Sequence, residues 1–395
     1  MKYLAVLGRQ PEISLAELEA LFSGVKQISS SLASFLSNET VNIGRLGGTL
    51  KIAVKLDQKP LEYLSSLEEG KITLGISDYS RGASKKTATI EALKLKKILV
   101  RHKRSVRVVE NKEAVLSTAT SLHNGLSGKN DRKIELIKFN SDWYKVIGVQ
   151  DIDAYAKRDQ ARPARDSKVG MLPPKLAQIL INLCGHLPEN ARILDPFCGT
   201  GVVLQEALLM GYQAYGTDIS ERMVKYSEKN LEWLLKSRDI LFSGHFGGCC
   251  RELASEPRED GSEERGPENK IFETALGDAA SFKWDQPIDA VACEGYLGKP
   301  MSQIPVDIKL KDQKQECKAI IIGFLKNLSI QIKAKTPVVI AAPAWLRENG
   351  KYSRLDILDE IQDMGYNVDN KSREGLFYYR DNQIVARDII ILRKK

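Results

Sequence analysis

The chain contains 395 residues, of which 43% are hydrophobic and 28% are charged, as is typical of a soluble globular protein. This length exceeds that of one ordinary core, so we expect two or three domains. No run of eighteen apolar residues occurs, which excludes a membrane-spanning helix, and the first residues lack the pattern of a signal peptide. The six cysteines form no C-x-x-C pair and indicate reduced thiols in the cytoplasm, with no metal site.

The positive charge is concentrated in the N-terminal part of the sequence. Residues 1–168 contain 29 Lys and Arg against 19 Asp and Glu, a net charge of +10. Residues 169–395 contain 30 against 32, a net charge of −2. A basic module joined to a near-neutral one suggests that the first holds a polyanion and the second processes it.

Short strand-like and helix-like segments alternate over the first 155 residues. Tyr3–Leu7 predicts a strand, and the following segment predicts a helix with Ser14 as N-cap and Glu17 completing a capping box. Further strands are predicted at 72–76, 105–109, 134–137 and 144–148, the last two as a closing hairpin, and helices at 89–101 and 118–126. Such mixing indicates small α+β units.

A second region begins after a charged segment, 151–170, that contains Pro163 and predicts a linker. A helix is predicted from Pro173 to Leu183, and the chain then alternates strands with helices. The predicted strands are 191–194, 212–217, 273–276, 289–293, 337–342 and 385–392, and the predicted helices are 202–211, 220–236, 312–334 and 353–364. This alternation predicts a mostly parallel sheet covered on both faces. Residues 243–270 are polar and predict a flexible surface insertion.

The segment from Ile193 to Gly201 has the sequence ILDPFCGTG and reads as a buried strand that enters a glycine-rich turn. The glycines permit close approach of a ligand, and Asp195 can accept hydrogen bonds from an amino group. Asp218 ends the next predicted strand, 19 residues after Gly199, and can hold both ribose hydroxyls. The G-x-G-x-x-G pattern for a pyrophosphate is absent, so S-adenosylmethionine is favoured over NAD as the cofactor.

The predicted cofactor-binding residues lie in these two strand ends and in the turn after the third strand. They are Asp195, Pro196, Phe197, Cys198, Gly199, Thr200, Gly201, Asp218, Ile219, Asp278 and Ala279. Asp278 can bond the adenine amine, although a Gly-Asp pair is also ordinary turn chemistry. A G-x-G turn alone is usually only a tight loop, and Asp218 alone is more often a helix N-cap, but their order and spacing together favour a cofactor site.

A reactive site is predicted directly after the fourth strand, 289–293. An exocyclic base amine is a weak nucleophile because its lone pair is delocalised, so methyl transfer needs an acceptor for its hydrogens and a flat surface that orients the base. Glu294 is the predicted acceptor and Tyr296 the predicted stacking surface. The alternative is a solvated charge at a strand end beside a tyrosine that packs against its loop.

These motifs resemble those of the THUMP-containing tRNA guanine-N2 methyltransferases and their bacterial relatives. The resemblance is carried by residues 1–21, 158–163, 170–177, 195–201 and 378–392. It implies a ferredoxin-like domain over 1–65, a THUMP RNA-binding domain over 66–155 and a linker over 156–170. The remainder, 171–395, is expected to be a Rossmann-like class I methyltransferase domain of the α/β class, with a seven-stranded sheet.

The resemblance also implies that the chain is an enzyme that binds tRNA and uses S-adenosylmethionine. The predicted RNA-binding residues are Lys94, Lys97, Arg101, Lys103, Arg104, Arg107, Arg158 and Arg162. A solvated helix face would also explain most of these cations, but the concentration of positive charge in one half favours contacts with phosphates.

The reactive motif departs from the family pattern D-P-P-Y, because the corresponding residues here are Cys293-Glu294-Gly295-Tyr296. Aligning the tyrosines places Cys293 at the acid position, whereas aligning the acids places Glu294 there. Glu294 is preferred because a thiol is a poor acceptor. Three other functions stay open: an amino-methylase of adenine in another RNA or in DNA, an RNA-binding protein with an inactive methylase domain and, least favoured, a nucleotide-dependent oxidoreductase.

Overall fold

The computed structural model describes residues 1–166, 172–237, 271–301, 303–381 and 383–395. The chain divides into two compact units, Met1–Asp153 and Ala154–Lys395. The predicted insertion at 243–270, with Cys249 and Cys250, lies outside the described residues, as do Gly170 and Met171. Within the described ranges no helix has the length and apolar character needed to cross a membrane.

The first unit is built on one eight-stranded sheet in the order β2-β3-β1-β4-β8-β7-β5-β6. The strands are β1 Lys2–Leu7, β2 Ser23–Ser29, β3 Leu32–Leu36, β4 Thr49–Lys55, β5 Ile72–Asp78, β6 Val106–Val108, β7 Lys133–Phe139 and β8 Asp142–Val149. The helices are α1 Pro11–Leu21, α2 Pro60–Ser65, α3 Lys85–Arg101 and α4 Thr118–His123. The β7–β8 hairpin matches the predicted one, whereas β2 and β3 were not predicted.

The sheet is continuous across the boundary predicted at residue 65, because β4 pairs antiparallel with β8. A buried ion pair between Lys51 on β4 and Glu135 on β7 joins the same two parts. Ser77 and Ser121 donate hydrogen bonds to the Glu135 carboxylate, so its charge is fully partnered inside the core. The ferredoxin-like and THUMP assignments within this unit stay predictions.

The capping box predicted for α1 is wrong, because α1 begins at Pro11, three residues before Ser14. Proline is suited to the first helical position, where its missing N–H leaves no bond unmade. The Ser14 hydroxyl donates to the Gly48 carbonyl at 2.7 Å. The Glu17 carboxylate accepts hydrogen bonds from the N–H groups of Gly47 and Gly48, each at 2.8 Å. Both side chains therefore tie α1 to the loop before β4.

The second unit contains a larger sheet whose main path is β11-β10-β9-β12-β13-β17-β15. Its strands are β9 Arg192–Asp195, β10 Gln213–Asp218, β11 Phe272–Leu276, β12 Ala290–Glu294, β13 Pro337–Leu346, β14 Tyr352–Ser353, β15 Tyr366–Val368, β16 Phe377–Tyr378 and β17 Val385–Lys394. The first five strands of the path are parallel, and β17 is antiparallel to β13. The predicted α/β class and Rossmann-like, mostly parallel sheet are confirmed. The main path has the predicted seven strands, and β14 and β16, which pair with β13 and β17, bring the total in the described ranges to nine.

Helices connect these strands, and all but the first and the last of them were predicted from the sequence pattern. They are α5 Ile152–Gln160, α6 Pro174–Leu183, α7 Val202–Leu209, α8 Glu221–Lys236, α9 Asp307–Ser329, α10 Leu358–Asp363 and α11 Asn370–Glu374. The strand order reverses beside β9, because β10 pairs with one side of β9 and β12 with the other. Ligands of open α/β sheets bind in the crevice outside the carboxyl ends of the strands at such a switch point.

The segment predicted as a linker is, from Ala154 to Asp166, an ordered part of the second unit. Tyr155 and Arg158 lie buried on α5, where the Tyr155 hydroxyl donates to the Gln178 side chain on α6. Asn230 on α8 exchanges hydrogen bonds with the backbone of Ala164. Four charged side chains of this segment, on which the prediction of a linker rested, form ion pairs within the unit: Arg158, Asp159, Arg162 and Asp166.

Candidate functional site

A cleft of about 470 Å³ opens at the carboxyl ends of β9, β10 and β12. The sequence-predicted residues that line it are Asp195, Phe197, Cys198, Gly199, Thr200, Asp218, Ile219, Glu294 and Tyr296. Parallel strands end at the same edge of a sheet, so three loops that are far apart in the sequence meet here. Seven of the eleven predicted cofactor residues and both predicted reactive residues therefore share one cleft.

The two glycines of the turn after β9 have different roles. Both adopt positive φ, +51° at Gly199 and +78° at Gly201, a region that side chains disfavour. A Cβ on Gly201 would lie 2.4 Å from the Ser227 hydroxyl oxygen, so this position is needed for close packing against α8. Gly199 lines the cleft, whereas Gly201 and the buried Pro196 are not part of its lining.

Asp218 ties the end of β10 to the glycine turn. Its Oδ2 accepts a hydrogen bond from the Gly199 N–H at 2.9 Å, and its Oδ1 accepts one from the Ser220 N–H at 2.9 Å. Burial raises the pKa of the Asp218 carboxyl, and these two hydrogen bonds lower it. Each carboxylate oxygen has a second acceptor position, so Asp218 can still accept two hydroxyl donors from a ligand.

Asp195 contributes a buried carboxyl group to the cleft. It is 2% exposed, and its Oδ1 accepts a hydrogen bond from the Phe197 N–H at 3.1 Å. Burial holds the pKa of Asp195 well above its usual range, and the nearby charges of Asp218 and Glu294 raise it further. A cationic ligand would relieve this repulsion, so the arrangement favours a ligand that carries positive charge.

Of the two residues that could occupy the acid position of the motif, Glu294 faces the cleft and Cys293 does not. Cys293 is fully buried in the core, because successive residues of a strand point to opposite faces. The Glu294 carboxylate lines the cleft and pairs with Arg387 of β17, with 2.8 Å between Nε and Oε1. Sequence reasoning missed Arg387, since no local pattern links it to a strand that ends 93 residues earlier.

Tyr296 lines the cleft two residues after Glu294. Its ring is half-buried against the core, and its hydroxyl donates to Oε1 of Glu316 on α9 at 3.2 Å. Burial and the charge of Glu316 raise the pKa of Tyr296. These contacts hold the ring in one place. A stacking surface and packing against the loop were alternative expectations for Tyr296, and the two are compatible, because the packed ring also lines the cleft.

Asp278 and Ala279 are not part of the cleft lining. The Asp278 carboxylate accepts a hydrogen bond from the Ala280 N–H at 2.9 Å, and the Asp278 carbonyl accepts those of Ser281 and Phe282. Ala279 is buried. Among the described residues, no group of three His, Cys, Asp or Glu side chains is placed to hold a metal ion.

Arg158 and Arg162 were predicted to bind RNA, and the structure contradicts this. They are only 3% and 4% exposed. Arg158 forms a buried ion pair with Glu206, and Arg162 donates to Asp159 and to the Thr200 hydroxyl. Neither guanidinium is accessible to a phosphate group, because Arg158 holds α5 against α7 and Arg162 joins the end of α5 to the glycine turn.

The other predicted RNA-binding cations lie in the first unit. Lys94, Lys97, Arg101 and Lys103 are exposed on α3 and just after it. Arg104 donates to the carbonyls of Leu67 and Glu68, and Arg107 donates to the side chain of Asn124. The unit 1–153 has 24 Lys and Arg against 17 Asp and Glu, a net charge of +7, and residues 154–395 have 35 against 34, a net charge of +1.

The comparisons with known proteins identify the class of the second unit. Residues 162–244, which include the glycine turn and Asp218, match the family described as RMKL-like, methyltransferase domain. The unit is therefore a methyltransferase domain. A solved structure of TrmN from Thermus thermophilus matches over the full length of both chains, with a TM-score of 0.47 and 14% identity.

Two curated relatives identify the family more closely. A protein from Pyrococcus abyssi is 30% identical over 240 residues, which cover 59% of this chain and 68% of the relative. A protein from Methanothermobacter thermautotrophicus is 47% identical over 190 residues, which cover 48% of this chain and 44% of the relative. Both are named tRNA (guanine(10)-N2)-dimethyltransferase. The chain belongs to this family and aligns with less than half of the second relative's length.

Proposed function

We propose that this protein transfers methyl groups from S-adenosylmethionine to the N2 amine of a guanine in tRNA. The observation that carries the proposal is the convergence of Asp195, Asp218 and Glu294 on one cleft of a methyltransferase domain. In this proposal the first two hold the cofactor, and the third holds the amine that accepts the methyl group. The activity named for the curated relatives supports guanine N2 as the acceptor.

The cleft fits the chemistry of S-adenosylmethionine, which supplies an activated methyl group on a sulfonium and carries a second positive charge on its amino group. Asp195 would accept hydrogen bonds from that amino group, and Asp218 from the ribose hydroxyls. Ile219 lines the cleft although 74% of it is exposed, so it offers an apolar surface for the adenine ring. Burial raises the pKa of both Asp195 and Glu294, so an ionised carboxylate is unfavourable in this cleft, and a cationic cofactor would stabilise it.

The residues after β12 would orient the accepting base. Glu294 accepts a hydrogen bond from one N–H of the amine, which turns the nitrogen lone pair toward the methyl group, and Tyr296 supports the plane of the base. The amine proton leaves to solvent after the methyl group has moved, so the reaction demands acceptors and alignment rather than a strong base.

The proposal is tested by incubating the protein with isotope-labelled S-adenosylmethionine and a tRNA transcript, followed by nucleoside analysis by mass spectrometry. The expected product is N2-methylguanosine, with or without N2,N2-dimethylguanosine, and the same spectra give the number of methyl groups transferred. Label found only in methyladenosine would support the adenine amino-methylase instead. Bound cofactor without any labelled nucleoside would support an RNA-binding protein with an inactive domain.

Replacement of Asp195 by asparagine is expected to weaken S-adenosylmethionine binding by at least about tenfold, since a hydrogen bond to a charged group contributes roughly 1.5–3 kcal/mol. Isothermal titration calorimetry over a pH series measures this effect. Because the cofactor binds the ionised carboxylate, the affinity of the unmodified protein should fall as the pH is lowered through the raised pKa of Asp195.

The same substitution should not reduce the thermal stability of the ligand-free protein. The folded protein binds a proton at Asp195 more tightly than the unfolded chain does, so its free energy of unfolding falls as the pH rises from the usual aspartate range to the raised pKa. Asparagine does not ionise, so the variant does not undergo this pH-dependent fall in the free energy of unfolding. Unchanged cofactor affinity in Asp195→Asn, or an affinity that is independent of pH in the unmodified protein, would exclude the assigned role.

We further propose that the basic first unit holds the phosphates of tRNA. Four of its exposed cations, Lys94, Lys97, Arg101 and Lys103, lie on one helix and the turn that follows. Their joint replacement by glutamine should weaken tRNA binding and reduce the slope of log affinity against log salt by roughly 0.7–0.9 per lost phosphate contact. Filter binding at several salt concentrations measures both quantities.

A matched control replaces four exposed lysines of the second unit. These are Lys229, Lys326, Lys333 and Lys335. This variant should keep most of the tRNA affinity and the salt slope, because it removes charge without touching α3. Equal losses in the two variants would show that the effect comes from total charge and would refute the assignment.

A cytoplasmic location also belongs to this proposal. It is supported by four free cysteines in the described part of the chain, Cys184, Cys198, Cys293 and Cys317.

A further inference from the structure

We infer that Arg387 is a positioning residue for methyl transfer, because it holds one oxygen of the Glu294 carboxylate and leaves the other directed to the substrate amine. The inference rests on the proposed role of Glu294 as the amine acceptor. Arg387 Nε donates to Oε1 at 2.8 Å, and within the described part of the chain Oε2 has no hydrogen-bond partner. One carboxylate oxygen is thus fixed, and the second remains available in the cleft.

The strand order of the sheet explains how these two residues meet. Glu294 ends β12 and pairs with Ala341 of β13, and Arg387 of β17 pairs with Pro343 of the same strand. Ala341 and Pro343 are two residues apart and therefore lie on one face of β13. The side chains of Ala341 and Pro343 are short, so the Arg387 side chain can extend diagonally across β13 and reach Glu294.

Arg387 is itself held in place by burial and by a second partner. It is 5% exposed, and its Nη1 lies 3.4 Å from the Gln383 side-chain oxygen, to which it donates a hydrogen bond. A buried arginine fixed in this way restricts the rotation of the carboxylate that it binds, since the guanidinium presents its donors in a rigid plane. A carboxylate with restricted rotation directs its free oxygen at one point in the cleft.

The ion pair also favours the ionised form of the acceptor. Burial raises the pKa of Glu294, and the charge and hydrogen bond of Arg387 lower it. The negative charge of Asp195 from β9 faces the same acid, Cys293 precedes it on β12, and the part of β13 between the pair contributes no ionisable group. Arg222 and Lys299 are further cations in the cleft lining. Arg387 is the cation in direct contact, and its charge favours the ionised form of Glu294, in which both oxygens are acceptors.

The test compares Arg387→Gln and Arg387→Lys with the unmodified enzyme in single-turnover methyl transfer to tRNA, with the cofactor already bound. Arg387→Gln should lower the rate by roughly 100-fold, as expected for a misplaced reacting group. It should also shift the acidic limb of the pH profile upward by roughly 1–3 pH units, because an adjacent opposite charge is lost. Cofactor affinity should be unchanged. Arg387→Lys retains the charge and should restore the position of the acidic limb while recovering only part of the rate.

The matched control is Arg393→Gln on the same strand, whose guanidinium donates to the Cys184 carbonyl instead. It should retain the rate, the pH profile and the cofactor affinity. A normal rate and pH profile in Arg387→Gln would overturn the inference. Parallel losses of rate, cofactor affinity and thermal stability in both Arg387 variants would also overturn it, because these are the signs of a purely structural role.

An infrared titration separates failure of this inference from failure of the proposed function. The Glu294 carboxyl band is identified as the band that Glu294→Gln removes, and its titration needs no RNA substrate. It should titrate at higher pH in Arg387→Gln than in the unmodified protein. If the unmodified protein methylates no tRNA, the proposed function fails, and this band still decides the inference: identical titrations in the two proteins would refute it.

Discussion

Replacement of Glu294 by alanine is expected to lower the rate of methyl transfer by about 100- to 1,000-fold, a loss typical of removing one preorganised group that stabilises the transition state. Cofactor binding should be retained, because the groups assigned to the cofactor lie on β9 and β10. The rate of labelled methyl incorporation into tRNA and the dissociation constant of S-adenosylmethionine are the two measurements. A lower rate at unchanged cofactor affinity is the predicted result.

Two further variants show whether the effect is specific to this carboxylate. Glu294→Gln retains an oxygen acceptor and should lose less activity than Glu294→Ala. Glu228→Gln alters another half-buried acid of the same domain, one that is hydrogen-bonded to Thr274 and is not part of the cleft lining, and should have a normal rate. Full activity in Glu294→Ala would remove Glu294 from the mechanism, and Tyr296 and backbone carbonyls would then have to hold the amine.

Replacement of Arg158 by methionine should lower the free energy of unfolding by about 3–5 kcal/mol, because it leaves a buried carboxylate without its partner. Arg158 Nε and Glu206 Oε1 are 2.7 Å apart, and their side chains are 3% and 1% exposed. Burial raises the pKa of Glu206, and Arg158 opposes that shift. Urea denaturation of the unmodified protein and the variant measures the loss.

The double variant Arg158→Met, Glu206→Leu should recover most of that stability, since well-packed apolar side chains often replace a buried ion pair without loss. Lys225→Gln is the surface control, because its partner Glu221 and the lysine itself are both largely exposed, and no measurable change is expected. Stability equal to that of the unmodified protein in Arg158→Met would show that the pair does not hold α5 against α7. A double variant as unstable as the single one would show that the ion pair itself is required.

Local patterns in the sequence were sufficient to predict the methyltransferase domain. A buried apolar run gives each core strand its position, and the glycine turn after β9 requires backbone angles that glycine adopts readily. Six strands were predicted in the second unit, and all six are present. The short strands β14, β15 and β16 were not predicted, because two or three residues are too few to show a periodicity.

Contacts between distant residues could not be predicted in the same way. Arg158 and Arg162 have the composition of a charged linker, and only the packing of α5 against α7 shows that Glu206 and Thr200 bind them. Ser14 and Glu17 fit a capping box in sequence, but their partners are backbone groups thirty or more residues away. A single sequence contains no local signal for such pairs.

The alternation of side chains along β12 decides whether Cys293 or Glu294 occupies the acid position, which the motif pattern alone left open. Cys293 and Glu294 are adjacent, and each could be placed at the acid position of the family motif. Adjacent side chains of β12 lie on opposite faces, and the core takes the apolar thiol while the cleft takes the carboxylate. The same sheet then brings Arg387 to Glu294 through β13, a relation that follows from strand order alone.

A crystal structure of the protein saturated with S-adenosylhomocysteine tests the central claim most directly. The predicted result is ligand in the cleft of about 470 Å³, with its amino group bonded to Asp195, its ribose hydroxyls bonded to Asp218 and its sulfur directed toward Glu294. Ligand bound elsewhere, or an empty cleft at saturating concentration with neither aspartate engaged, would contradict the account.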